Sequence, residues 1–114
     1  MTHYMNLHQQ PFSMIASGLK TIELRLLDEK RRLISVGDTL IFKNTADPSL
    51  TISCIVKALH TFANFEELYR SLPLDKCGYL PHELATAKAK DMEIYYSLDK
   101  QMSCGVVGIE IELI

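Results

Sequence analysis

Apolar and polar residues along this chain fall into short runs of two periods, and those runs set the expected elements. Alternation around Met5 and Leu7 suits a short strand. Pro11 then stands in what reads as the first turn of a helix, where its missing N–H costs nothing. Phe12, Ile15 and Ala16 follow at helical spacing, and Gly18 is a natural stop. In "KTIELRL" the period changes to two. Ile22, Leu24 and Leu26 face one way, and Thr21, Glu23 and Arg25 face the other, as in a half-buried strand.

Beyond it, "DEKRR" reads as a charged turn and Val36-Gly37-Asp38 as a tight one, followed by a strand from Thr39 to Lys43. The β-branched run "LTISCIVKALHTF" reads as a long strand. Phe65, Leu68, Tyr69 and Leu72 have helical spacing behind Asn64, a suitable N-cap. A second helix is expected over "PHELATAKAKDMEIYY", ending near Tyr95 or Tyr96, and "GVVGIEIELI" closes the chain as a strand. Helices and strands are interspersed without the regular alternation of parallel βαβ units. The expectation is therefore an α+β fold, a small, mostly antiparallel β-barrel with helices packed at its ends. At 114 residues the chain forms one domain, 1–114.

Composition narrows the function classes. A net charge of −2 argues against a generic electrostatic nucleic-acid binder, although a small basic cleft on an acidic body stays open. Cys54, Cys77 and Cys104 have wide, irregular spacing, which indicates neither a disulfide framework nor structural zinc. The four histidines form no metal-binding spacing, and no carboxylate pair does either, so no metal and no cofactor is expected. No run approaches the ~18 apolar residues of a membrane span, and nothing reads as a signal peptide. A soluble cytoplasmic protein without a membrane partner is expected.

The candidate chemistry lies in the strand "KTIELRL". Glu23 and Arg25 project from one face with Cβ atoms ~6.5–7 Å apart, given a rise of ~3.3 Å per residue. Both reach one small volume, with Lys20 just before the strand. The bland alternative is an ion pair on a solvated face. Lys30, Arg31 and Arg32 form either a solvated turn or a basic lip for phosphates. Tyr95 and Tyr96 cannot both face the core from a regular helix, because neighbours lie ~100° apart, which leaves one ring for stacking on a base. Gln9, Gln10 and Phe12 lie at the first strand-to-helix junction, where capping or packing accounts for them. His82-Glu83 follows Pro81 at a helix start, the place of a charge–dipole cap.

"PFSMIASGLKTIELR", "KRRLISVGDTLIF" and "GVVGIEIEL" resemble the ASCH domain, a branch of the PUA-like superfamily. The family's G-x-K-x-x-E-x-R signature corresponds to Gly18, Lys20, Glu23 and Arg25, and its GD turn to Gly37-Asp38. The resemblance runs from about Leu7 to Leu113. It implies a PUA-like barrel whose cleft, bordered by the signature strand, binds RNA or a modified nucleoside or nucleotide. Lys20, Thr21, Glu23, Arg25, Lys30, Arg31, Arg32 and Tyr96 are then the candidate ligand-binding residues. Some members are enzymes. One small ASCH-like hydrolase of acetylated cytidine uses Lys, Thr and Glu, and a ribonuclease activity is attributed to another member. Lys20 matches the hydrolase lysine, Glu23 occupies the place of its nucleophilic threonine, and Glu83 corresponds loosely to its acid. A hydrolase using Lys20 and Glu23 is thus the alternative, and an adaptor docking through "PLDKCGYLP" the third.

Overall fold

Five strands form one mixed sheet, whose edges determine where the charged residues of the signature lie. The computed structural model describes residues 1–114. In chain order the elements are β1 (Thr2–Leu7), α1 (Gln9–Ala16), β2 (Ile22–Leu26), α2 (Glu29–Arg32), β3 (Thr39–Asn44), β4 (Thr51–Phe62), α3 (Phe65–Ser71), α4 (Leu98–Cys104) and β5 (Val106–Leu113). Between α3 and α4 run three 3-10 turns, Leu74–Lys76, Pro81–Thr86 and Ala89–Ile94. Strand order is β1-β3-β4-β5-β2. Three neighbouring pairs are antiparallel, and β1 pairs parallel with β3.

The architecture is α+β with a mostly antiparallel sheet, as expected, and the sheet curls into an open half-barrel. Strands β1 and β2 are its two edges, and no ladder joins them. The curl brings them close enough that Nη2 of Arg25 on β2 donates to the backbone oxygen of Asn6 on β1 at 2.9 Å. One side chain, rather than a row of backbone bonds, bridges the seam. The twelve-residue β4 pairs with both β3 and β5, and a bulge between Val56 and Ala58 increases its local twist.

Two apolar clusters cover the two faces of the sheet. The larger includes Leu7, Phe12, Ile15, Phe42, Val107 and Ile109. The smaller joins Ile22, Leu24 and Leu26 to Phe65 and Leu68 of α3 and to Cys77. Each such side chain, fully buried, contributes ~1.5–3 kcal/mol. Gly108 lies opposite Leu24, and a Cβ there would come within 2.6 Å of Leu72 Cδ1. The bare glycine lets α3 and its following residues sit close to the sheet.

Strand β2 corrects the expectation of a half-buried strand, because both of its faces are covered. Glu23 pairs with Ile109 and Arg25 with Val107, so these charges share a face with the principal core. The segment 81–96 is also corrected, from one helix to two 3-10 turns separated by extended residues at Ala87 and Lys88. Glu83 caps Leu80 N–H and Asp91 caps Lys88 N–H, so each carboxylate starts a fresh turn. Helix α4 was not expected, and α2 makes a turn of helix out of "EKRR". The Asn64 cap is present, its side chain accepting from Glu67 N–H at 2.9 Å.

Candidate ligand-binding cleft

The open seam of the half-barrel is a cleft of about 440 Å³. Its floor is built by the short connection from α1 to β2. After α1, Gly18 takes a φ of +82°, and the N–H groups of Leu19 and Lys20 both return to the Met14 carbonyl. This turn sets Lys20 at the head of β2. Thr21 N–H then bonds to the Lys76 carbonyl at 2.9 Å, tying the strand to the chain that forms the outer wall.

On that floor Glu23 accepts from two cations at once. Lys20 Nζ lies 2.7 Å from Oε1 and Arg25 Nε lies 2.8 Å from Oε2. The side chains are 4% (Glu23), 10% (Lys20) and 14% (Arg25) exposed. Burial pushes the Glu23 carboxyl upward, but attraction and hydrogen bonding by Lys20 and Arg25 win and hold it below the usual range. Glu23 is therefore a carboxylate. Burial also works against the charge on Arg25, and Glu23 and the Tyr96 hydroxyl more than offset it. Gly78 lies over Lys20: a Cβ there would sit 3.4 Å from Lys20 Cδ, and its φ of +112° is itself glycine backbone.

The outer wall is aromatic and acidic. Tyr79 donates to Asp91 Oδ2 at 2.8 Å, so at its 2.7 Å contact with Tyr69 it must be the acceptor. Burial first, then its bonds to Tyr69 and Asp91, raise the Tyr79 hydroxyl well above the ordinary range, and burial pushes Tyr69 up to about 12. Cys77 also lines the cleft, but burial pushes its thiol up to about 11, which removes it as a nucleophile at neutral pH. Glu83 lines the cleft and uses one oxygen on Leu80 N–H at 2.7 Å.

Lys20, Glu23, Arg25, Glu83 and Tyr96 thus come together, while Thr21, Lys30, Arg31 and Arg32 do not join them. Thr21 borders a smaller cavity of about 270 Å³ beside Gly18, Cys54 and Ile111. Arg31 is tied to Asp28 at 2.9 Å, Arg32 donates to the Cys104 carbonyl, and Lys30 is exposed; none of the three lines the cleft. Of the two tyrosines, Tyr96 stacks on Phe65 at 6.0 Å, and Tyr95 is the ring left 63% exposed. Gln9 accepts from Asn44 at 2.7 Å, whereas Gln10 lines the cleft. In "PLDKCGYLP" Leu74, Cys77, Tyr79 and Leu80 are buried or half-buried, which removes the apolar docking surface expected there. Sequence reasoning missed Tyr69, Tyr79 and Asp91 as wall residues; the Tyr69–Leu72 helical spacing and the lone Asp91 gave no sign of convergence.

No group of three or more His, Cys, Asp or Glu side chains is placed to hold a metal ion. No helix is long and apolar enough to cross a membrane.

Comparison with known proteins agrees with this geometry. The ASCH domain family model matches residues 5–114. The crystal structure of the hypothetical protein PH0355 superposes with a TM-score of 0.82 at 31% identity, covering 100% of both chains. The solution NMR structure of PF0455 from Pyrococcus furiosus gives a TM-score of 0.69 at 29% identity, covering 100% of this chain and 98% of that one. No curated protein matches. On the family match over essentially its whole length, the chain belongs to the ASCH domain family, a PUA-like fold often linked to RNA binding.

Proposed function

We propose that this ASCH domain binds RNA, one nucleotide at a time, or a modified nucleoside, in the seam cleft. The observation that carries this reading is the Lys20–Glu23–Arg25 cluster, buried on the floor of a cleft walled by tyrosines. A volume of about 440 Å³ falls within the ~300–1,000 Å³ of small-ligand sites. The hydrogen-bond inventory is two-sided. Lys20 and Arg25 keep N–H donors beyond those given to Glu23 and Asn6, and these suit ring nitrogens or carbonyls of a base. Glu83 and Asp91 each keep one oxygen that takes no hydrogen bond from the protein, suited to exocyclic amino groups. The free ring of Tyr95 supplies a stacking surface at the rim.

Isothermal titration of nucleosides and short RNAs against the wild type and Arg25→Ala tests the reading. Saturable binding that Arg25→Ala weakens supports it. Absence of heat for every nucleoside and RNA, or an indistinguishable variant, overturns it.

The 2.7 Å contact between Lys20 and Glu23 favours a second reading, hydrolysis of an amide or phosphodiester. Against it, a carboxylate held below its usual range is a weak general base, and Glu23 has both oxygens engaged. Incubation with acylated cytidines and short RNAs separates the readings: product from the wild type and none from Glu23→Gln, at a temperature where circular dichroism shows the variant folded, means hydrolysis, and no product from the wild type overturns hydrolysis of those substrates.

A further inference from the structure

We propose that the cleft selects nucleosides whose base carries a positive charge, and that a 5′-phosphate weakens binding. This rests on the nucleoside reading above and names the ligand class within it. Two observations lead to it.

The first is the charge balance of the lining. Two permanent cations, Lys20 and Arg25, and the imidazole of His8 at the rim face three carboxylates, Glu23, Glu83 and Asp91. Both permanent cations are already paired with Glu23 on the floor. The wall carboxylates have no cationic partner in the protein: Asp91 is held by Tyr79 O–H and Lys88 N–H, and Glu83 by Leu80 N–H. The basic residues of α2 lie outside the cleft. A phosphate therefore meets no unpaired lysine or arginine here, and its charge opposes that of the wall carboxylates. A cationic base meets an excess of negative charge in a partly enclosed site, where screening by water is reduced.

The second is the aromatic content of the same wall. Tyr69, Tyr79, Tyr95 and Tyr96 all line the cleft, and the electron-rich faces of such rings attract cations. Tyr95 is the ring open to an incoming ligand. Aromatic faces beside carboxylates lacking cations form the chemistry that recognises a delocalised positive charge. N-methylation of a purine ring nitrogen creates such a charge.

The test compares isomers that differ in charge but not in composition. Binding of 1-methyladenosine, cationic at neutral pH, and of N6-methyladenosine, which is neutral, is measured by titration calorimetry with the intact chain. A second pair of isomers, cationic 7-methylguanosine and neutral N2-methylguanosine at pH 6, repeats the comparison with the charge at another ring position, and adenosine 5′-monophosphate against adenosine reports on the phosphate. The cationic member of each pair is expected to bind about tenfold tighter, and the monophosphate more weakly than adenosine. Glu83→Gln with Asp91→Asn, which keeps the capping acceptors, is expected to abolish the preference while circular dichroism stays unchanged. Equal or tighter binding of the neutral members, tighter binding of the monophosphate, or a preference that survives the double substitution overturns this inference and leaves the nucleoside reading standing. No binding by any nucleoside or RNA overturns both.

Discussion

Replacing Glu23 by glutamine removes the one negative charge that two buried cations share. The side chains of Lys20, Glu23 and Arg25 are 10%, 4% and 14% exposed, so neither cation regains bulk water without rearrangement. Breaking a buried pair in this way costs ~3–5 kcal/mol. With an unfolding entropy of ~2.1 cal/mol/K per residue, a chain of 114 residues loses ~12–21 °C in Tm for that cost. Thermal unfolding followed by circular dichroism at pH 7 measures it. The pH dependence adds a sign. The folded Glu23 carboxyl titrates below its unfolded value of 4.5, so its stabilisation is complete above that pH and is lost as pH falls through the lower folded value. The gap between wild type and Glu23→Gln should therefore narrow on acidification below pH 4.5. An apolar triple substitution, Lys20→Met with Glu23→Leu and Arg25→Met, should recover most of the lost Tm, since well-packed apolar groups replace buried charges at little net cost. A Glu23→Gln Tm within ~2 °C of wild type, or a gap that stays constant from pH 7 to 3, refutes the buried cluster.

Three further outcomes follow from other parts of the molecule. Tyr95→Ala should leave Tm unchanged, because the ring is 63% exposed, yet weaken nucleoside binding by ~1–3 kcal/mol in calorimetry, the worth of one stacked base. Gly108→Ala should lower stability by ~1–3 kcal/mol in urea unfolding, since its Cβ would fall 2.6 Å from Leu72 Cδ1 and 3.2 Å from Ile22 Cγ2. Asp38 is held down to about 2, first by the His3 hydrogen bond and then by Ser35 N–H, so its contribution is present above the unfolded value of 3.8 and lost toward pH 2. Asp38→Asn should be less stable than wild type at pH 7, with the two converging across that window in acid titrations of unfolding.

Much of the sheet was legible because its strands carry their period plainly. "IELRL" alternates, "TLIFKN" follows a tight turn with an apolar centre, and the β-branched run of β4 extends from Thr51 to Phe62 as expected. Burial of the second face of β2 was not legible, because period two separates the two faces without saying what covers each. That depends on the curl of the whole sheet, which places Glu23 beside Ile109. Helix α4 was hidden because Leu98 and Met102 are exposed and only Gln101 is buried, so there is no apolar stripe to read. The 81–96 region misled in the opposite direction. Alanines and lysines favour helix, but the capping bonds of Glu83 and Asp91 break the region into short turns. The Lys20, Glu23 and Arg25 part of the site was visible from spacing on one strand. Tyr69, Tyr79 and Asp91 reach it from distant segments, and only the fold brings them together.

The most direct test of the seam cleft as the binding site is a map of backbone amide shifts in 15N-labelled protein titrated with nucleosides. Saturable shifts confined to the amides around Lys20, Glu23, Arg25, Gly78 and Tyr95 are the expected result. Shifts clustered elsewhere, for instance on the outward residues of β4 around Lys57, or no saturable shift with any nucleoside, would contradict it.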